Sequence, residues 1–230
     1  AVTTAKFVTT FKENFSEKDT VIIYISTHGT LAKNEMTGKL EKYLVTGTTD
    51  STNISKTGLS FKKLKKIFQG IKSQKKALIL DSCFSGTGKS IFSEAVKEEI
   101  KKYKGVLPLY EEFKVARGEI LLFSSRGNEP SQESHALGGS VYTHFLIEGF
   151  KKDRNQDGVI SLTEAHDYAR SKTMAFTKRQ QNPTAIIGLE GVDPIFIKGR
   201  INDDKAVIRA NLTSNQIYEV FIDEVYKGLL

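Results

Sequence analysis

The sequence has little cysteine and no long apolar run, which argues against a disulfide-stabilised protein and against a membrane-spanning protein. Cys83 is the one cysteine in 230 residues, so no internal disulfide forms and the thiol is either inert or used in chemistry. No stretch is long and apolar enough for a bilayer-spanning helix, so no membrane association is predicted. No secretory leader opens the chain, and its first residues are typical of a helix already under way, so we expect an N-terminal part to be missing. The compartment stays open between the cytoplasm, which these features favour, and a secreted or periplasmic location.

The positive charge of the chain does not by itself indicate a nucleic-acid partner. Lys and Arg number 34 against 27 Asp and Glu, which gives a formal net charge of +7. Many lysines lie in stretches with helical spacing, such as 61–68 and 98–104, and basic motifs interleaved with aromatic residues are lacking. We interpret the charge as solvated helix faces and expect no nucleic-acid binding.

Short apolar runs alternate with helical patterns along most of the chain. The runs at 20–27, 76–82 and 118–126 are rich in aliphatic and β-branched residues and are bounded by polar turns. Helical spacing of apolar residues is found at 61–68, 91–100, 141–152 and 161–176, and a further strand candidate is 193–199. This order predicts an α/β fold with a mostly parallel central sheet that helices cover on both faces. After Gly199 the pattern alternates, so residues 200–230 are predicted to be a β-rich extension or the start of an appended β module.

Two chemically reactive residues come directly after predicted strands. His28 follows the first run and Cys83 follows the second, and ligands of open α/β sheets bind beyond the carboxyl ends of the strands. A thiolate is a nucleophile, and a neighbouring imidazole can take its proton and later protonate the leaving amine. The glycines that follow, among them Gly29, free backbone N–H groups, so the amides of Gly29 and Cys83 are candidates for an oxyanion hole. Either residue alone is more often structural, but the pair indicates a catalytic dyad.

The two motifs, YISTHGT at 24–30 and LILDSCFSG at 78–86, resemble those of caspase-like cysteine peptidases, in particular the metacaspase and bacterial caspase-homologue branch. The resemblance extends over about 20–199 and includes the segments 121–134 and 138–150. It implies a three-layer α-β-α caspase-like fold for residues 1–199, protein or peptide substrates, and a catalytic dyad of His28 and Cys83. The sequence departs from the family motifs at Thr27, where Gly is usual, and at Phe84, where His is usual, and neither belongs to the dyad.

A specificity pocket is predicted around Asp81. Residues two apart on a strand point to the same side, so Asp81 is expected beside the thiol of Cys83, and a buried carboxylate needs a partner. The resemblance to metacaspases implies that Asp81 lines a pocket for Arg or Lys before the cleaved bond. Ser124, Ser125 and Glu133 are further pocket candidates. The alternative is that Asp81 caps the turn that follows it.

The segment 153–164, DRNQDGVISLTE, matches the pattern of a calcium-binding loop. Gly158 stands where the loop turns sharply, and Ser161 is a weaker ligand position. The predicted Ca²⁺ ligands are Asp153, Asn155, Asp157, the carbonyl of Val159, and Glu164. The alternative is a tight acidic turn in which Ser161 and Glu164 form the capping box of the next helix.

Other functions stay open at this point. The chain is interpreted as an endopeptidase, with a catalytically silent caspase-like interaction module or a calcium-binding scaffold as alternatives. Self-processing is predicted in the lysine-rich segment 87–117, with Lys104 and Arg117 as candidate sites. Residues 86–90 resemble a phosphate loop only in part, because Cys83 stands where its first glycine is needed. No organic cofactor is expected, and the oligomeric state is open.

Overall fold

The computed structural model describes residues 15–35, 37–82, 115–126, 129–190, 195–197, 219–222 and 225–229, the last two ranges in their backbone only. Its centre is a four-stranded sheet in the order β1-β5-β6-β10. Its strands are β1 (Thr20–Ser26), β5 (Lys75–Asp81), β6 (Glu119–Phe123) and β10 (Thr184–Gly188). The first three run parallel and β10 is antiparallel to β6, which confirms the predicted α/β fold with a mostly parallel sheet.

Side chains alternate between two apolar cores along the central strands. On β5, Leu78 and Leu80 belong to one core, whereas Ala77 and Ile79 belong to the other. The period of two residues follows from the pleat, and burial on both faces explains why β5 and β6 are almost continuously apolar. Helices pack on each face, which gives the three layers that the family resemblance implied.

Four helices are described, each numbered in chain order. They are α1 (Ile54–Thr57), α2 (Phe61–Gln69), α3 (Val141–Gly149) and α4 (Leu162–Phe176), and a 3-10 turn covers His135–Leu137. The side chains of Ser60, Ser140 and Ser161 accept a backbone N–H three residues later and so cap α2, α3 and α4. Helix α2 covers the first core, and α3 and α4 cover the second.

The contact between α3 and α4 depends on one glycine. A Cβ on Gly149 would lie 2.5 Å from the carbonyl oxygen of Ala165, closer than van der Waals contact allows. The two helices therefore pack backbone to backbone at this point, and they bury Ala165 and Ala169 completely. Among the helices described, none combines the length and apolar character needed to cross a membrane.

Several short strands were not predicted from the sequence. A three-stranded antiparallel sheet follows His28 directly, and the short strands form pairs near the ends of α3 and α4. The short strands that were not predicted are β2 (Gly29–Lys33), β3 (Leu40–Leu44), β4 (Leu59–Ser60), β7 (Glu133–Ser134), β8 (Gly139–Ser140) and β9 (Ile160–Ser161). A further short strand, β11 (Phe196–Ile197), lies within the predicted candidate 193–199. The candidate strand at 193–199 is described only as the two residues of β11, which pair with β9 and lie outside the central sheet. Near the end of the chain, β12 (Glu219–Ile222) and β13 (Val225–Leu229) form an antiparallel hairpin.

Candidate active site

The register of β1 and β5 brings to one edge of the sheet the two strand ends that precede His28 and Cys83 in the sequence. Thr20 pairs with Lys75 and Ser26 with Asp81, so partners throughout this ladder are 55 positions apart. The N–H of Thr27 donates to the carbonyl of Asp81 at 3.2 Å and extends the contact beyond the last pair. His28 and Cys83 are likewise separated by 55 positions in the sequence. Cys83 itself lies outside the described residues, so its place in the dyad stays a prediction.

The backbone around His28 is held by the end of β3. The carbonyl of His28 accepts the N–H of Val45 at 2.8 Å, and the hydroxyl of Thr27 donates to the carbonyl of Val45. His28 is half-buried, and Gly29, the predicted oxyanion residue, is buried as the first residue of β2. The imidazole therefore follows a strand exit whose backbone is fixed from both sides, as a catalytic base requires.

A polar cavity of about 320 Å³ opens beside His28 at this edge of the sheet. Its lining includes both Asp81 and Glu133 among the predicted site residues. The complete described lining is Ser26, Thr27, His28, Asp81, Ser82, Ser131, Gln132, Glu133 and Ser140. The sheet thus places the predicted base and the predicted pocket carboxylate on one depression of a size that suits a long side chain.

The carboxylate of Asp81 is only 5% exposed and is bound by two hydroxyl groups. Ser131 Oγ donates to Oδ1 at 2.7 Å, and Thr143 Oγ1 donates to Oδ2 at 2.5 Å. Within the described ranges no lysine, arginine or histidine forms an ion pair with this carboxylate. The carboxylate of Asp81 therefore lines the cavity with hydroxyl groups as its partners and has no positively charged partner in the described ranges.

Ser124 and Ser125, the other predicted pocket residues, are buried and do not line the cavity. The carbonyl of Ser124 accepts the side-chain amide of Gln181 at 2.8 Å, and the hydroxyl of Ser125 donates to the carbonyl of Glu129 at 3.2 Å. Both serines therefore hydrogen-bond to neighbouring segments of the chain, at Gln181 and Glu129, and do not face the cavity.

Ser131, Thr143 and Gln181 were not identified from the sequence, although they contact the pocket or support it. Ser131 belongs to a run of short polar residues, 131–134, between Pro130 and a helix, which is the one local signal for a binding wall.

A family model described as the caspase domain matches residues 3–189. The chain belongs to the caspase domain family. No curated protein matches the chain significantly. Membership makes this caspase domain a cysteine peptidase that acts on protein substrates. It does not by itself define which residue precedes the cleaved bond.

A buried tyrosine–histidine pair lies next to the pocket wall of the caspase domain. Burial raises the pKa of Tyr142 well above 10, and the charges of Asp81 and Tyr24 raise it further. Its hydroxyl lies 2.8 Å from His166 Nδ1, and because the tyrosine keeps its proton it is the donor. Burial lowers the pKa of His166 to about 4, with a smaller contribution from Arg170, so the imidazole is neutral at physiological pH.

The loop 153–164 has the turn of a calcium loop, but its carboxylates bind backbone amides. Asp153 accepts the N–H groups of Asp157 at 3.2 Å and Gly158 at 2.8 Å, and Gly158 has a φ of +88°. Glu164 Oε1 accepts the N–H groups of Arg154 and Asn155. In the described ranges no three His, Cys, Asp or Glu side chains are grouped as metal ligands.

Of the two hydrogen bonds of the predicted capping box, the one accepted by Ser161 is formed. Ser161 Oγ accepts the N–H of Glu164 at 3.1 Å. The Glu164 carboxylate accepts the amides at the start of the loop, so it points into the loop and not back at Ser161. The ends of a calcium loop, at Asp153 and Glu164, are thus close together, and calcium binding stays a prediction.

Proposed function

We propose that this caspase domain is an endopeptidase that hydrolyses peptide bonds after Arg or Lys, with Cys83 as nucleophile and His28 as acid–base. The observation that carries the proposal is the buried carboxylate of Asp81, which faces a cavity beside His28 and is bound by hydroxyl groups alone. Cleavage after Arg or Lys would supply the missing cation.

The proposed reaction proceeds through a thioester. His28 takes the proton of the Cys83 thiol, and the sulfur attacks the carbonyl carbon of the bond to be cleaved. The N–H groups of Gly29 and Cys83 stabilise the oxyanion of the tetrahedral intermediate. When this collapses, the C–N bond breaks and His28 gives its proton to the leaving amine. Water, deprotonated by His28, then attacks the thioester, releases the carboxylate product and restores the thiol.

The chemistry of the pocket favours a guanidinium or an ammonium. A carboxylate has about four lone-pair sites, and hydroxyl groups occupy two of those on Asp81, so two remain for a substrate cation. Arg can use both in a bidentate contact, whereas Lys makes a single charged hydrogen bond. A substrate Asp would place a second negative charge against Asp81 and be rejected.

Self-processing in the segment 87–117 is retained in the proposal, but Arg117 is a poor site for it. Arg117 lies in a turn closed by the N–H of Glu119 and the carbonyl of Ala116, and Gly118 contacts Lys76 at the amino end of β5. The seven residues of β5 separate this end from His28 by roughly 20 Å at about 3.3 Å per residue. The position of Arg117 thus does not support a cut there within one molecule, whereas Lys104 lies outside the described residues.

Calcium binding by the loop 153–164 is a further part of the proposal. The carboxylates of Asp153, Asp157 and Glu164, the side chain of Asn155 and the carbonyl of Val159 would hold the ion. The ion would replace backbone N–H groups as the partner of Asp153 and Glu164 and order the loop that leads into α4. A Ca²⁺-dependent rise in Tm that is absent in Asp157→Ala, with Mg²⁺ as control, would support it. Equal melting curves with and without Ca²⁺ would remove it.

The dyad and the preference are tested with fluorogenic peptides that carry Arg, Lys or Asp before the cleaved bond. We expect cleavage after Arg and Lys by the wild type, and none by Cys83→Ala or by protein alkylated with iodoacetamide. Cleavage after Asp would contradict the role of Asp81. A folded protein that cleaves none of the peptides would favour the interaction module or the calcium scaffold instead.

A further inference from the structure

The two hydroxyl groups on Asp81 each have one proton, so their direction decides whether the carboxylate is bound. A serine or threonine hydroxyl donates once and accepts through two lone pairs. Ser131 and Thr143 donate to the two oxygens of Asp81 only while each proton points at the carboxylate. Hydroxyl protons rotate to suit their surroundings, so a donor behind each hydroxyl would favour this direction over any other.

Behind Thr143 stands Tyr24, on the strand beside Asp81. Its hydroxyl lies 2.8 Å from Thr143 Oγ1. The proton of Thr143 is used on the carboxylate, which can only accept, so Tyr24 is the donor in this contact. The chain of hydrogen bonds therefore has one direction, from Tyr24 through Thr143 to Asp81.

Behind Ser131 stands the side-chain amide of Gln181. Gln181 Nε2 lies 3.3 Å from Ser131 Oγ, and an amide nitrogen donates but does not accept. The proton of Ser131 is therefore left for Asp81, 2.7 Å away on its other side. This second chain has the same direction as the first and reaches the opposite oxygen of the carboxylate.

The amide of Gln181 is itself fixed by further contacts. It is completely buried, its Nε2 also donates to the carbonyl of Ser124 at 2.8 Å, and its Oε1 accepts the N–H of Gln132 at 2.9 Å. It follows a turn in which Lys178 and Arg179 have φ of 50° and 62°, the left-handed region that residues other than glycine rarely adopt. The fold tolerates this unfavourable backbone where it aims Gln181 at the pocket wall.

We propose that Tyr24 and Gln181 are positioning residues of the pocket, which act through Thr143 and Ser131 to hold two protons on Asp81. Each chain occupies one lone-pair site on a different oxygen of the carboxylate, so two sites remain for a guanidinium in the cavity that Asp81 lines. The inference rests on the proposed function and extends it to residues that do not touch the substrate. Loss of either donor lets the hydroxyl turn away, so the carboxylate becomes less ordered and binds Arg less well.

The test is a double-mutant cycle of Tyr24→Phe and Thr143→Val with the Arg peptide. Tyr24→Phe removes one hydroxyl from a side chain that is nearly half exposed, so the fold should be retained. We expect KM to rise about 3- to 10-fold, as for the loss of one hydrogen bond, with kcat and the alkylation rate of Cys83 unchanged. In a Thr143→Val background, the same change should have no effect on KM.

The matched control is Tyr168→Phe, because Tyr168 is also a partly exposed tyrosine whose hydroxyl donates to a side chain, Glu148, at 3.0 Å. It should leave KM unchanged.

For the second chain of hydrogen bonds, Gln181→Glu replaces the donor with an acceptor that competes for the proton of Ser131, so KM for the Arg peptide should rise as well. Its control is the exposed neighbour Gln180→Glu, and a melting curve shows whether Gln181→Glu still folds; if it does not, the Tyr24 cycle decides alone.

The outcomes separate the inference from the proposed function. Suppose that the wild type cleaves the Arg peptide. If Tyr24→Phe then leaves KM unchanged, or raises KM equally in the wild-type and Thr143→Val backgrounds, the positioning role is overturned and the peptidase proposal stays intact. A folded wild type that is alkylated at Cys83 but does not cleave the Arg peptide would overturn both.

Discussion

Asp81 and Glu119 are two equally buried carboxylates at opposite ends of the central sheet, and their partners differ. Asp81 ends β5 and is 5% exposed, whereas Glu119 begins β6 and is 6% exposed. Glu119 contacts Lys76 at 3.2 Å and accepts the N–H of Ala116 at 2.8 Å. Asp81 accepts only hydroxyl groups and faces a cavity.

The difference separates a structural carboxylate from one that awaits a ligand. Lys76 also donates to the carbonyl of Ile71 at 2.8 Å and lies 5.3 Å from the ring centroid of Phe68, so both charges of this pair find their partners inside the protein. Burying a charge without a counter-charge is costly, and Asp81 lies without one at the edge where we propose that substrates bind. Under that proposal, a buried carboxylate would serve stability at one end of the sheet and substrate recognition at the other.

The largest effect is expected from Asp81→Asn. The substitution keeps the shape of the side chain and removes the charge that a guanidinium would meet, so kcat/KM for the Arg peptide should fall on the order of 100-fold or more. The melting temperature should change little, since no internal cation loses its partner. Peptide kinetics beside a melting curve measure both, and an unchanged kcat/KM would show that the two carboxylates do not differ in the way described.

The reverse result is expected from Lys76→Met. It leaves Glu119 buried without its cation and should lower the free energy of unfolding by about 3–5 kcal/mol. Activity per folded molecule should stay the same, because the change lies at the far end of the strands. Urea denaturation with active-site titration gives both numbers, and a selective loss of Arg cleavage would count against a purely structural role for the pair.

The buried imidazole of His166 makes the stability of the domain depend on pH. Its pKa is about 4 in the folded protein and near 6.5 when unfolded, so the unfolded chain binds a proton first as pH falls. Stability should be unaffected above pH 6.5 and should fall by about 3 kcal/mol between pH 6.5 and 4. His166→Gln, which can still accept from Tyr142, should remove this part of the pH dependence. Urea midpoints at several pH values measure it, and parallel curves for both proteins would refute the assignment.

The smallest effect compares the N-caps of two nine-residue helices. Ser140 and Ser60 each accept a backbone N–H, that of Thr143 at 3.3 Å and that of Lys63 at 3.2 Å. Either change to Ala should lower stability by about 1 kcal/mol. Only Ser140→Ala should also raise KM for the Arg peptide, by about 2- to 3-fold, because its helix carries Thr143. Equal KM values for the two variants would show that the start of α3 does not control the pocket.

Local sequence was sufficient to predict the strands of the central sheet that carry long apolar runs. The apolar runs that became β5 and β6 were recognised because a strand covered on both faces needs almost continuous apolar residues. The run that became β1 was recognised by its β-branched and aromatic residues, although β1 is an edge strand whose side chains alternate between buried and exposed. The strand β10 was missed, because its five residues give too short a pattern next to Pro183. The candidate strand at 193–199 contains β11, but its partner β9 could not be predicted, since an apolar run does not reveal which strand it pairs with.

The sequence by itself was enough to predict the α/β layers, the strand exit that carries His28, and Ser161 as a helix cap, because each follows from the order of neighbouring residues. Only the tertiary structure decided what surrounds Asp81. Its partners Ser131 and Thr143 stand 50 and 62 positions further along the chain, and Tyr24 and Gln181 behind them come from opposite ends of the domain. A hydrogen bond depends on distances of a few ångströms between folded segments, and no local pattern in the chain records those distances.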